Sequence, residues 1–275
     1  MSVSKWLLLV GCLFLSACKW EMPLLGGEVP LPAGLTVEQI EFQRNGGPQC
    51  LGNPGVTAEN MQCASVRVSY PKVVSTLNAT AVDAINQFIM SQLIEFSDEE
   101  GKQAASLEEL AAMFIADYQK TPNPLSSWEL ERRVEMVFSS GNLMTLNFTE
   151  NGYTGGAHPF SGERYFVFDM VTGKQVTLAG LLTPGYDGVL NVAAEKAFRE
   201  ARHIDSDANL ETEGFWFENN VFSVNTNFGV LEHGLIFVFN PYEVAPYVMG
   251  PTEFTVPYED IADVLAVDSP LAALR

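Results

Sequence analysis

128-WELERRVEMVFSSGNLMTLNFTENGYTGGAHPFSGERYFVFDM-170 is the stretch whose reading decides the fold. In its first run, Trp128, Leu130, Val134, Met136 and Phe138 share one face, and Glu131, Arg133 and Glu135 share the other. A period of two marks a half-buried strand. The runs 143-LMTLNFTEN-151 and 163-ERYFVFDM-170 add a second and a third strand. Between those two stands 155-GGAHP-159, whose glycines supply the dihedral freedom of a turn. Long antiparallel neighbours are the economical arrangement for such runs.

Working outward, a turn at 171-VTGK-174 leads to a further extended run, 175-QVTLAGLL-182. Residues 184–203 read as a helix, with Pro184 near its start and Glu195/Arg199 and Lys196/Glu200 at i,i+4 spacing. The segments 215-FWFENNVFSVNTN-227, 234-GLIFVFN-240 and 253-EFTVP-257 read as strands, and 258-YEDIADVLA-266 as a last short helix. Upstream, 36–44 and 64–70 alternate as strands, with Pro71 ending the second. Residues 79–96 place Val82, Ile85, Phe88, Ile89 and Leu93 on one helical face. Residues 106–120 form a second helix, opened by a Ser106/Glu109 capping box. The expected fold class is α+β, with mostly antiparallel sheet packed by three to four helices. Two intimate subdomains are expected, 36–139 with a disulfide loop and 140–275.

The N-terminus carries Lys5, an apolar run from Trp6 to Leu15, and then 15-LSAC-18. The run is too short to span a bilayer and suits a signal-peptide core. With the small residues and the cysteine, it resembles the bacterial lipoprotein signal. That resemblance implies removal of residues 1–17 and lipidation of Cys18, with 18–35 as a proline- and glycine-rich tether. Lys19 after the cysteine resembles the default signal for the outer membrane, facing the periplasm. Cys12 leaves with the signal, so Cys50 and Cys63 remain as a pair. In an exported protein they are expected to form a disulfide that stabilises by roughly 3 kcal/mol.

The chain of 275 residues has a formal charge of −19. Such a surface repels nucleic acid and favours a basic partner. There is no G-x-S-x-G, P-loop or dinucleotide fingerprint, and the histidines show no ligand spacing. No cofactor and no metal are therefore expected.

Three stretches together resemble a known family: "GGAHP" at 155–159, "DMVTGKQVTLAGLL" at 169–182, and "FVFNPYEVAPYVMGPTEFTVPYEDI" at 237–261. They are similar to the exported domain shared by the lysozyme-sensing anti-sigma factor RsiV and the N-terminal part of the peptidoglycan deacetylase PdaC. The resemblance implies an α+β fold and recognition of lysozyme or of cell-wall glycan; neither relative's output activity is implied. The candidate ligand-binding residues are His158, Glu163, Tyr242, Glu243 and Tyr247. For His158 the plainer role is holding backbone groups of its loop. For Tyr242 and Tyr247 the plainer reading is a buried tyrosine corner. The functional expectation is a lipid-anchored, non-enzymatic envelope protein that binds a protein or glycan. An envelope hydrolase acting on peptidoglycan and a purely structural lipoprotein are the alternatives.

Overall fold

The computed structural model describes residues 34–57, 61–75, 78–97, 101–121 and 126–271. The signal segment, Cys18 and tether residues up to 33 lie outside them. The described part begins with Gly34 and with Leu35, which is buried in the core.

Six strands form the larger sheet in chain order: β1 (Thr36–Gln49), β2 (Gln62–Ser75), β3 (Trp128–Ser140), β4 (Leu143–Tyr153), β5 (Phe160–Asp169) and β6 (Lys174–Gln175). All neighbours are antiparallel except β2 and β3. A parallel pair needs a crossover. Here α1 (Ala79–Leu93) and α2 (Leu107–Lys120) supply it. Ile85, Ile89, Leu93, Leu110 and Phe114 cover one face of the sheet, over Val66, Val68, Val134, Leu146 and Phe148. At the start of α2, Ser106 Oγ accepts the Glu109 N–H, and the Glu109 carboxylate accepts the Ala105 N–H. The return bond thus falls one residue before the Ser106 N–H that a regular capping box would use. Cys50 and Cys63 are joined as a disulfide across the β1–β2 connection.

Pro71 does not end β2, which runs on to Ser75. β3 pairs with β2 only as far as Ser69, so Pro71 lies where one flank of the strand has no partner. A residue without an N–H is tolerated there.

A second, antiparallel sheet contains β7 (Phe228–Val230), β8 (Gly234–Phe239) and β9 (Thr252–Pro257). β8 is buried on both faces. Ile236 and Val238 meet Tyr165 of β5, whereas Phe239 turns toward Phe198 of α4 (Asp187–Arg202). Phe198 is fully buried among the rings of Phe215, Phe217, Phe222, Phe239 and Phe254, at centroid distances from 5.0 to 5.9 Å. Thr145 of β4 ties the sheets together: its hydroxyl donates to Val230 O and accepts the Val230 N–H.

Three expected elements differ. Residues 175–182 give only the end of β6 and a short helix, α3 (Leu178–Leu181), whose Leu178 and Leu181 are buried. Residues 215–227 form no strand. Phe215, Phe217 and Phe222 converge on Phe198, while Asn219 and Asn220 take left-handed backbone that breaks an extended run. The last helix is a 3-10 segment, Tyr258–Val264. The expected break at 139/140 falls at the end of β3, just before its turn into β4, inside one sheet. Both halves share that sheet. Leu146 and Phe148 face α1 and α2, whereas Leu143 and Val167 join the core of the C-terminal half. The α+β class and the mostly antiparallel pairing hold.

Candidate functional site

The loop 155-GGAHP-159 is the turn of the β4–β5 hairpin. Gly155 takes a φ of +83°, whereas Gly156 needs no such freedom. At the strand end, a Cβ on Gly152 would collide with the Phe160 ring and the Glu129 carbonyl, so the close approach there requires glycine.

His158 is exposed and its ring stacks on Tyr247, with centroids 3.9 Å apart and planes 21° apart. Tyr242 lies beside Tyr247 at 5.9 Å. Pro159 O accepts the Tyr247 hydroxyl at 2.8 Å and faces His158 Nδ1 at 2.8 Å. A carbonyl has no proton to give, so Nδ1 is the donor in that contact. Nε2 in turn faces the Tyr242 hydroxyl at 3.5 Å. Three sequence-singled residues, from two distant loops, thus form one ring platform.

Tyr242 is 60% exposed rather than a buried corner. Its φ is +70°, a region that costs a bulky side chain roughly 1–2 kcal/mol. A tight turn imposes it: the Tyr242 N–H donates to Ala245 O, and the Glu243 N–H donates to Asn240 O. Pro241 and Pro246 bracket that turn. Trp216 and Val248 add exposed apolar surface from the flanking segments, and the Trp216 indole donates to Glu243 O.

The two carboxylates are placed differently. Glu243 is not part of the ring stack; its side chain accepts from Asn225 and Asn240. Glu163 is buried on the face of β5 opposed to the small sheet, where it accepts from the Asn147 amide. Its backbone sits on the open edge of β5. Asn240 Oδ1 accepts the Glu163 N–H at 2.7 Å, Asn240 and Asn227 amides donate to Glu163 O, and Asn227 Oδ1 accepts the Tyr165 N–H. Two asparagines therefore do the work of a missing strand. Asn240 also links Glu163 to the turn that carries Tyr242.

Burial, and then the neighbouring Glu253 charge, push the Glu163 carboxyl above its ordinary range, against the Asn147 and Tyr165 hydrogen bonds. The Tyr165 phenol is driven far up by burial and by the same two acids, and it donates to Glu253 Oε2 at 2.7 Å. Beside the open edge of β5, a cleft of about 360 Å³ is lined by Glu95, Arg132, Glu150, Glu163, Arg164 and Asn240 among others. Its buried guanidinium, Arg132, is paired with Glu150 and donates to the Leu93 and Glu95 carbonyls at the end of α1. Arg164 lies over the Phe148 ring at 4.6 Å and pairs with Glu95.

Sequence reasoning missed Asn225, Asn227 and Asn240, although asparagine at strand ends in 225-NTN-227 and 239-FN-240 was a signal for side chains that bond backbone. It also missed Arg132, whose position within an alternating strand was visible as a cation on the apolar face. His158 has no carboxylate among its hydrogen-bond partners in the described residues. No group of three or more His, Cys, Asp or Glu side chains able to hold a metal ion occurs among the described residues.

Residues 57–161 match the family model described as Deacetylase PdaC, and residues 179–259 match the one described as Protein of unknown function (DUF3298). Over these two stretches the chain is similar to the PdaC–DUF3298 domain pair. The resemblance read from the sequence holds, and the pair supports an envelope-associated domain. The ring platform draws on both parts, with His158 from the PdaC stretch and Tyr242 and Tyr247 from the DUF3298 stretch. The fold is similar to that of a DUF3298 family member from Bacteroides fragilis, with 17% identity and a TM-score of 0.68 over 88% of this chain and 98% of that one. It is also similar to a DUF3298 family protein from Pseudomonas aeruginosa, with 19% identity and a TM-score of 0.62 over 84% and 94%. No curated protein matches the chain.

Proposed function

We propose that this chain is a lipid-anchored envelope protein that binds a basic protein of the lysozyme type through the His158–Tyr242–Tyr247 platform. The observation that carries this reading is the platform itself. The exposed rings of His158 and Tyr242 and the half-buried ring of Tyr247 are held in place by Pro159 O and by a tyrosine in a costly backbone conformation. Such strain persists where the surroundings over-determine it, and it clusters at ligand sites. Aromatic side chains are also the residues that anchor interfaces. The formal charge of −19 steers a cationic partner toward the surface, an effect that salt weakens. The anchor is Cys18, and the proposed location is the outer membrane, facing the periplasm. A cell-wall glycan is the second reading, favoured by the exposed Tyr242 ring, whose hydroxyl lies beside the exposed His158 imidazole.

Calorimetric titration with lysozyme, at low and at high salt, tests the reading. Binding that weakens with salt, and that falls about tenfold or more in Tyr242→Ala (~1.4 kcal/mol), is expected. No binding at low salt sinks the lysozyme version, and a parallel titration with chitin oligosaccharides then decides the glycan one. Cys18→Ser is expected to move the protein from the membrane fraction to the soluble fraction. Retention of the variant in the membrane fraction refutes the anchor.

A further inference from the structure

We propose that two copies of this chain join edge to edge through β1, antiparallel about a two-fold axis at Glu41, so that their six-stranded sheets become one. β1 is the first strand of the larger sheet, and among the described residues only β2 pairs with it. An unpaired edge strand is a template for another chain, and folded proteins blunt such edges. The far end of the same sheet is blunted. There β6 has only two residues, and the Asn227 and Asn240 side chains occupy the backbone of β5. β1 carries no such device. From Val37 to Gly46 its register with β2 is unbroken, with irregularities only at the two ends, and the run holds no proline and no lysine.

The side chains along this run select the partner. Glu38, Ile40, Phe42 and Arg44 alternate on the face covered by the helices, where Phe42 packs against the core. Ile40 is half-buried yet lies outside that core. Glu38 and Arg44 are exposed. Lys72 stands opposite Glu38 on β2, but no ion pair closes there. Arg44 has no ion pair, hydrogen bond or ring contact among the described residues, whereas every other described arginine has one. A two-fold axis at Glu41 sets Ile40 against the partner's Phe42 and Glu38 against the partner's Arg44, each twice. On the other face, Gln39 meets the partner's Gln43. Moving the axis to Ile40 or to Phe42 sets Glu38 against an apolar ring or a glycine and loses both ion pairs. The helices leave room. Ile115 and Tyr118 of α2 cover Gly46 and Gly47, and the two copies of Gly46 stand about 33 Å apart along the paired strands. One contact opposes the union: Glu41 meets the partner's Glu41 on the axis, and like charges directly opposite repel. The formal charge of −19 also opposes it, but salt screens that repulsion beyond about 8 Å. The pairing is therefore reversible.

Sedimentation equilibrium of the purified chain carrying Cys18→Ser, over a concentration series at physiological ionic strength, tests the pairing. A monomer–dimer equilibrium is expected. Arg44→Glu weakens it about tenfold or more, because each of the two ion pairs becomes a repulsion. Glu38→Arg combined with Arg44→Glu restores it, and Glu41→Gln tightens it. Cross-linking reads the register. Under mild oxidation Glu41→Cys forms a covalent dimer, since facing residues of antiparallel strands have Cα atoms about 4.5–5.5 Å apart. Gln43→Cys, which faces the partner's Gln39 rather than its own copy, does not. All the substituted side chains of β1 are exposed, so each variant keeps the fold. A chain that stays monomeric up to about 1 mM overturns the proposal. So does association that Arg44→Glu leaves unchanged, or cross-linking through Gln43→Cys as strong as through Glu41→Cys.

Discussion

Asn240→Ala isolates the device that closes the open edge of β5. The wild-type amide accepts the Glu163 N–H at 2.7 Å and donates to Glu163 O at 2.9 Å and to Glu243 at 3.0 Å. Alanine removes all three bonds. Glu163 O keeps the Asn227 amide and Glu243 keeps Asn225, so only the Glu163 N–H loses its sole partner. A part-buried donor left unpaired costs about 1–3 kcal/mol, and the two replaceable bonds add a few tenths each. The expected loss is about 2–3 kcal/mol, read as a lower denaturation midpoint in urea with an unchanged slope. Hydrogen exchange supplies the local signature: the Glu163 amide exchanges faster, while the amide of Arg164, whose backbone faces β4, does not. A variant within 0.5 kcal/mol of wild type, or one with undiminished protection at Glu163, refutes the account of this edge.

Two further outcomes follow from the packing. Phe198→Ala removes a fully buried ring from the centre of five others and should cost about 3–5 kcal/mol in chemical denaturation; a loss under about 1 kcal/mol contradicts the packing described. Arg132→Ala strands the Glu150 carboxylate and two carbonyls at the end of α1, an expected cost of about 3–5 kcal/mol, whereas Arg132→Met with Glu150→Gln regains most of it. Equal losses in the single and the double variant would show that the charge pairing is not what matters there.

The strands around GGAHP were legible because alternation is a local property. Each of β3, β4 and β5 carries its own period of two, and any sheet must respect it. The capping box before α2 and the short-range cysteine pair were legible for the same reason. The segment 215–227 misled because its aromatic spacing fits a strand as well as it fits a loop wrapped around Phe198, and only the position of α4 decides between them. Pro71 misled because a missing N–H matters only where a neighbouring strand asks for it, and β3 has already left β2 by that point.

For the site, composition and motif order picked out His158, Tyr242, Tyr247, Glu163 and Glu243 one at a time. Their relations came from folding. The hairpin turn carries His158 against a proline-bracketed turn far along the chain, which makes a surface of three rings that neither loop holds alone. The two carboxylates, alike in sequence, were separated by environment. Glu163 went into the seam between the sheets beside Glu253, and Glu243 became an acceptor for asparagine amides. The sequence by itself determined the periodicities, the turn chemistry and the charge, because these depend on residues near one another in the chain. Exposure, hydrogen-bond partners and protonation depend on which distant segments meet, and the tertiary structure alone decided those.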